Sequence, residues 1–208
     1  MKELSIAVLA LVACVTPAFT QSLADGAAAN QRGDYQAALK IFTALADQGD
    51  AVAQTLVGNL YANGPGVLAD SATALKWYLL AAQNETAPTQ FAEVGIEFGQ
   101  LQEQIAIMYG TGTGTPQNYE ESIKWDRLAA KNGNLQGQFN LGVKYYNGDG
   151  VKRDFELAYM WFEISEINGP GSGIKMRDTA AQQLTKADAL LAQAAASKCV
   201  KSNYDGCQ

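Results

Sequence analysis

Small and apolar side chains at Ala53, Val57, Gly58 and Tyr61 are spaced four, one and three residues apart, which sets them on one face of a helix. The same phase returns at Gly137, Leu141, Gly142 and Tyr145. Glycine on such a face lets a second helix approach closely. A second stripe follows each time: Ala74, Trp77, Ala81, then Ser122, Trp125, Ala129, then Ala158, Trp161, Ser165. Between the stripes lies Tyr-x-x-Gly-x-Gly, three times over: Tyr61 with Gly64 and Gly66, Tyr109 with Gly112 and Gly114, Tyr145 with Gly148 and Gly150. The first glycine stands where a helix stops and supplies the left-handed C-terminal cap. Asp70, Asn118 and Asp154 precede the tryptophan helices and suit their N-caps. Each unit therefore predicts helix A, a Gly-x-Gly turn and helix B.

The tryptophans are 48 and 36 residues apart. The unit is thus 36 residues, and one copy carries 12 extra. Repeats are expected at 50–85, 86–133 and 134–169, with a degenerate half-repeat at 25–49 whose helix A is a stub over Ala27 to Gln31. The 12 extra residues fall in 86–100, where Pro88, Phe91, Val94, Ile96 and Phe98 are too apolar for a plain loop. They read as an N-terminal extension of helix A or as a protruding element that contacts a partner. Residues 170–197 predict a capping helix, which Thr185 would divide in two by acting as a second N-cap. A tail spans 198–208. Two short helices alone bury little, so neighbouring units must stack into one continuous core.

With these residues in view, the chain resembles the Sel-one-like repeat (SLR) family, a tetratricopeptide-like (TPR-like) helical repeat. The copies at 50–85 and 134–169 match the family pattern closely. The copy at 86–133 departs from it, with Ala106 for the helix glycine, Thr115 for Val, Asn118 for Asp and Ser122 for Ala. The resemblance implies an all-α, TPR-like right-handed α-solenoid of helix-turn-helix repeats. It also implies an adaptor that holds proteins or peptides on a concave face lined by the A helices. Some cysteine-rich members bind or hydrolyse β-lactams. Those carry cysteine pairs inside their repeats, and this chain has none there.

The N-terminus adds an address. Lys2 precedes a twelve-residue apolar run, Leu4 to Val15, which Pro17 ends. Residues 1–24 read as a signal peptide, with cleavage near Thr20 or after Ala24. Leu11-Val12-Ala13-Cys14 also resembles a bacterial lipobox, with Cys14 as a lipid anchor. Two further cysteines, Cys199 and Cys207, can close a disulfide loop in an oxidising compartment. The expected location is the periplasm, with an outer-membrane lipoprotein or a secreted protein as alternatives.

Composition then narrows the chemistry. Of 208 residues, 15 are Lys or Arg and 21 Asp or Glu, a net charge of −6, and none is His. The acidic balance argues against nucleic acid as partner, and no later run is apolar enough for a transmembrane helix. The missing histidine removes His-dependent triads and His-ligated zinc. Glu120-Glu121 and the pair Glu163 and Glu166 read as solvated surface acids. Ser172-Gly173-Ile174-Lys175 fits Ser-x-x-Lys only in form, since no companion motif is present. No catalytic residue, cofactor or metal site is expected. By helical phase, Asn59, Glu103, Phe139, Val143 and Tyr146 face the A-helix surface, and with Phe91 and Phe98 they are the candidate partner-binding residues. The reading that follows is an exported scaffold with no catalysis. An envelope enzyme on peptidoglycan or β-lactams, and a structural lipoprotein held through Cys14, stand as alternatives.

Overall fold

A computed structural model describes residues 22–171 and 173–207, all helix, turn and loop with no strand among them. Residues 1–21, where the signal peptide and the Cys14 anchor are expected, and Ser172 lie outside the described residues. Among the described residues eleven helices follow one another: α1 (Leu23–Gln31), α2 (Tyr35–Ala46), α3 (Ala51–Asn63), α4 (Ser71–Gln83), α5 (Ala87–Glu93), α6 (Phe98–Thr111), α7 (Tyr119–Lys131), α8 (Leu135–Asn147), α9 (Phe155–Asn168), α10 (Ile174–Ala181) and α11 (Lys186–Lys201). They form four A/B pairs, α1/α2, α3/α4, α6/α7 and α8/α9, each packed on the next, with α10 and α11 both against α9.

The first pair is more complete than the expected stub. Helix α1 begins at Leu23, and Ser22 and Asp25 close a reciprocal capping box at its start. The folded unit therefore includes residues 22–24, which cleavage after Ala24 would remove and cleavage near Thr20 would keep. The insertion is also not a prolonged helix A. Residues 87–93 form the separate helix α5, with a proline in its first turn, and Gly95 at φ 70° closes its C-terminal end ahead of the short link to α6. Pro88 favours a helix start, whereas the left-handed Gly95 prevents one continuous helix. Thr185 does cap α11, and that helix runs to Lys201, so the cap ends inside the stretch expected to be tail.

The caps and turns follow the residue chemistry. Asp34, Asp70, Asn118 and Asp154 accept hydrogen bonds from backbone N–H groups in the first turns of α2, α4, α7 and α9. Gly64, Gly112 and Gly148 cap the A helices at positive φ. The second glycine of each turn has another task. A Cβ on Gly66 would lie 2.4 Å from Tyr35 Cβ, on Gly114 2.4 Å from Ser71 O, and on Gly150 2.6 Å from Tyr119 Cβ. Tyr35, Ser71 and Tyr119 are the first residues of α2, α4 and α7. Each turn thus rests its bare glycine on the start of the preceding B helix, and this contact fixes the stacking distance between pairs.

A buried amide relay also joins successive pairs. Gln54 and Gln138 donate to the carbonyls of Ala46 and Ala130. Asn132 donates to Gln102 Oε1 at 2.6 Å, and Asn168 to Gln138 Oε1 at 3.0 Å. In the second pair Asn84 turns instead to Gly49 O, at 2.7 Å. Gln54 Oε1 is consequently buried without a hydrogen bond. The link to α5 redirects Asn84, whose side-chain Oδ1 accepts the N–H and hydroxyl of Thr86.

The three tryptophans hold equivalent places on B helices. Trp77 and Trp125 pack partly buried against the cores of the first and second pairs. Trp161 is buried within the last core, where the tail covers it. Cys199 and Cys207 are disulfide-bonded. Asn168 donates to the Tyr204 hydroxyl at 2.9 Å, and Lys131 pairs with Asp205 at 2.8 Å. Glu163 and Glu166 are not the surface pair that their spacing suggests. Glu163 is buried, paired with Arg177 at 3.0 Å and hydrogen-bonded by Gln193. Glu166 accepts the N–H groups of Gly171, Gly173 and Ile174, and so caps α10 in place of an N-cap side chain.

Candidate functional site

The A helices α3 and α6 do not close on each other. Helix α5 and the residues after it wedge in beside them and leave a groove of about 510 Å³. Val52, Leu56, Phe91, Ile96 and Leu101 supply its apolar surface, and Thr55, Asn59, Tyr78, Gln100, Glu103 and Gln104 its polar one. Phe91 is anchored in the core, and Phe98 meets it edge-on at 5.3 Å. The two rings hold the insertion in place, while Ile96 stays exposed.

One position on the B helices sets the character of the site. The residue after each tryptophan is Tyr78, Asp126 or Phe162, and Phe42 holds the corresponding place on α2. Rings at this position lie on an A-helix glycine: Phe42 on Gly26, Tyr78 on Gly58, Phe162 on Gly142, each too close to admit a Cβ. In the third pair the glycine is Ala106 and the ring is Asp126, both fully buried. Ala106 carries a Cβ where the other pairs have the bare glycine on which the ring lies. The smaller carboxylate fits and must find a cation. It forms an ion pair with Lys144 of α8, and Asn140 lies 3.5 Å away.

The charges here are correspondingly perturbed. Burial pushes Asp126 up to about 6, and Lys144 and Asn140 only partly oppose it. Glu103 is raised as well, first by burial and then by the charge of Asp126, against a smaller pull from Lys144. Burial lifts the Tyr78 phenol to about 12, so it stays neutral and donates to Asn59 Oδ1 at 2.7 Å. No group of acids and cysteines among the described residues could hold a metal ion.

Of the candidate partner-binding residues, the structure brings Asn59 and Glu103, placed by helical phase, and Phe91 of the insertion into the one groove. Phe98 packs behind it. Phe139, Val143 and Tyr146 lie elsewhere, half-buried against the last core, with Phe139 5.4 Å from the Phe162 ring and Tyr146 5.3 Å from that of Phe155. Sequence reasoning missed Tyr78, Asp126 and Lys144. The signal for the first two was available in the residue after each tryptophan, where one copy has an acid and the others a ring.

Stacked helix pairs with this turn chemistry define an α-solenoid. The Sel1 repeat profile matches residues 23–50, 51–85, 101–134 and 135–169, and skips 86–100, where the insertion falls; the chain belongs to the Sel1 repeat family. Among curated relatives it is 31% identical over 129 residues to an ERAD-associated E3 ubiquitin-protein ligase component, HRD3B, of Arabidopsis thaliana, covering 61% of this chain and 18% of that protein. It is 30% identical over 115 residues to chitin synthase regulatory factor 3 of Schizosaccharomyces pombe, covering 55% and 11%. The chain thus spans less than a fifth of the length of either. The crystal structure of a Sel1 repeat protein from Oxalobacter formigenes superposes with a TM-score of 0.65 at 24% identity, covering 88% of this chain and 74% of that one. That likeness concerns the fold.

Proposed function

We propose that this protein is an exported interaction module that holds a protein or peptide partner on its A-helix face and carries out no chemistry of its own. The observation that carries this reading is the groove between α3 and α6, of about 510 Å³ and lined by apolar and polar side chains together. A mixed concave surface of that size suits recognition. The family supports the role, since one relative is named as a component of a ligase and another as a regulatory factor of an enzyme. Export rests on the Lys2–Val15 pattern and on the disulfide, which persists in oxidising compartments. The proposed place is the bacterial periplasm, with Cys14 as a lipid anchor the variant form of the same reading.

Photo-crosslinking in intact cells tests it. A photoreactive residue at Asn59 is expected to capture a discrete partner in the envelope fraction, and the same residue at Thr179 on the capping helix is not. Equal capture at both positions, or recovery of the protein only from cytoplasm, would refute the respective halves of the proposal.

A further inference from the structure

From Trp77 to Ile123 the chain carries six glutamates and not one lysine or arginine. This stretch supplies α5, α6 and most of the wall of the groove. Among the lining residues Glu103 is the sole charged side chain. It has no hydrogen bond or ion pair among the described residues, although it is half-buried. The charges that act on it are those of Asp126 and Lys144, and Lys144 is already paired with Asp126. Two carboxylates therefore share one cation, and the site is short of a positive charge. Desolvating an unpaired carboxylate is costly, and a cation brought by a ligand removes that cost.

The rest of the lining fits the same ligand. Thr55 is spent on the carbonyl of Ala51 and the Tyr78 hydroxyl on Asn59 Oδ1. The Asn59 Nδ2 donors and the amides of Gln100 and Gln104 make no hydrogen bond among the described residues, so they are available to a peptide backbone. Leu56, Phe91 and Ile96 offer apolar contact beside them.

On charge complementarity we infer that the occupant of the groove is a peptide segment bearing a lysine or arginine between aliphatic residues, with its cationic head against Glu103. This deepens the proposed peptide-holding role and rests on it. A half-buried, unmatched carboxylate also gives selectivity, because an acidic or neutral segment leaves Glu103 unpaired or repelled.

Fluorescence anisotropy on the purified full chain tests the assignment. The probes are three fluorescein-labelled hexapeptide pools with amidated ends and random Leu, Ile, Val, Ser and Gln positions. They differ only in a central Lys/Arg, norleucine or Glu. The Lys/Arg pool is expected to bind about tenfold more tightly than the norleucine pool, with the Glu pool weakest. Glu103→Gln should remove that advantage while keeping the far-ultraviolet circular dichroism and melting of the parent, since Glu103 has no internal partner to lose. A Lys/Arg preference that survives Glu103→Gln overturns the role of Glu103. Equal binding of the Lys/Arg and norleucine pools, weakened together by Leu56→Asp, overturns the charge assignment and leaves the groove reading standing. If no pool binds at about 1 mM, the groove reading falls as well.

Discussion

Asp126 is a carboxylate where the other pairs have a ring, and the exchange has a cost that pH can reveal. Its folded-state value is about 6 against an ordinary 3.8, so the folded chain holds this proton more firmly than the unfolded one. Between about pH 4 and pH 6 the native state binds more protons, and stability falls as pH rises through that window. The penalty of burying the charge is complete above about pH 6. Urea denaturation should show the parent gaining about 1–3 kcal/mol relative to Asp126→Asn between pH 7 and pH 4.5. Asp25 and Asp70 are held below the usual range by hydrogen bonds from Ser22 and Thr73. Their contribution is lost only at lower pH, and it is common to both proteins. An unchanged difference across the window would mean that Lys144 fully compensates the charge. The residue type was legible in the sequence, but its burial was not. Burial depends on Ala106 and Lys144, which lie 20 residues before and 18 after it and meet it only through packing.

Among the elements, the turn glycines separate two demands that sequence alone merges. Gly133 and Gly150 both sit at positive φ, 79° and 72°, but a Cβ on Gly133 meets nothing within 4 Å and one on Gly150 meets Tyr119. Gly133→Ala should cost about 1 kcal/mol, the price of the left-handed backbone. Gly150→Ala should cost at least about twice that, because the α7 start must also retreat. Thermal unfolding of the two variants decides the matter, and equal losses would show that the turn does not set the spacing between pairs. The helices and caps were readable because period and capping are local properties. The split of the insertion into α5 and a link was less so. Its apolar residues fit a prolonged helix equally well, until Phe91 and Phe98 are seen to pack on each other across a bend.

For the whole molecule, a stack of pairs is held by neighbour contacts, so its open end needs a closure. Here α10, α11 and the Cys199–Cys207 loop provide it, and they bury Trp161 more deeply than Trp77 or Trp125. A nine-residue disulfide loop is worth about 2.5 kcal/mol in the chain-entropy estimate. The Cys199→Ser/Cys207→Ser protein should lose about that much stability. Its Trp161 fluorescence should shift to the red as Tyr204 and residue 207, which pack on the core that holds Trp161, move away. A spectrum identical to the parent's would show that the tail stays docked without the bond.

The sequence by itself determined the repeating unit, the direction of each helix face and the family. Those follow from the spacing of tryptophans, glycines and capping acids, which act within a few residues of themselves. The tertiary structure alone decided which polar groups share a groove and how deeply each is desolvated. Asn59 and Tyr78, or Glu103, Asp126 and Lys144, come from different helices, and their distances and burial exist only once the pairs have stacked.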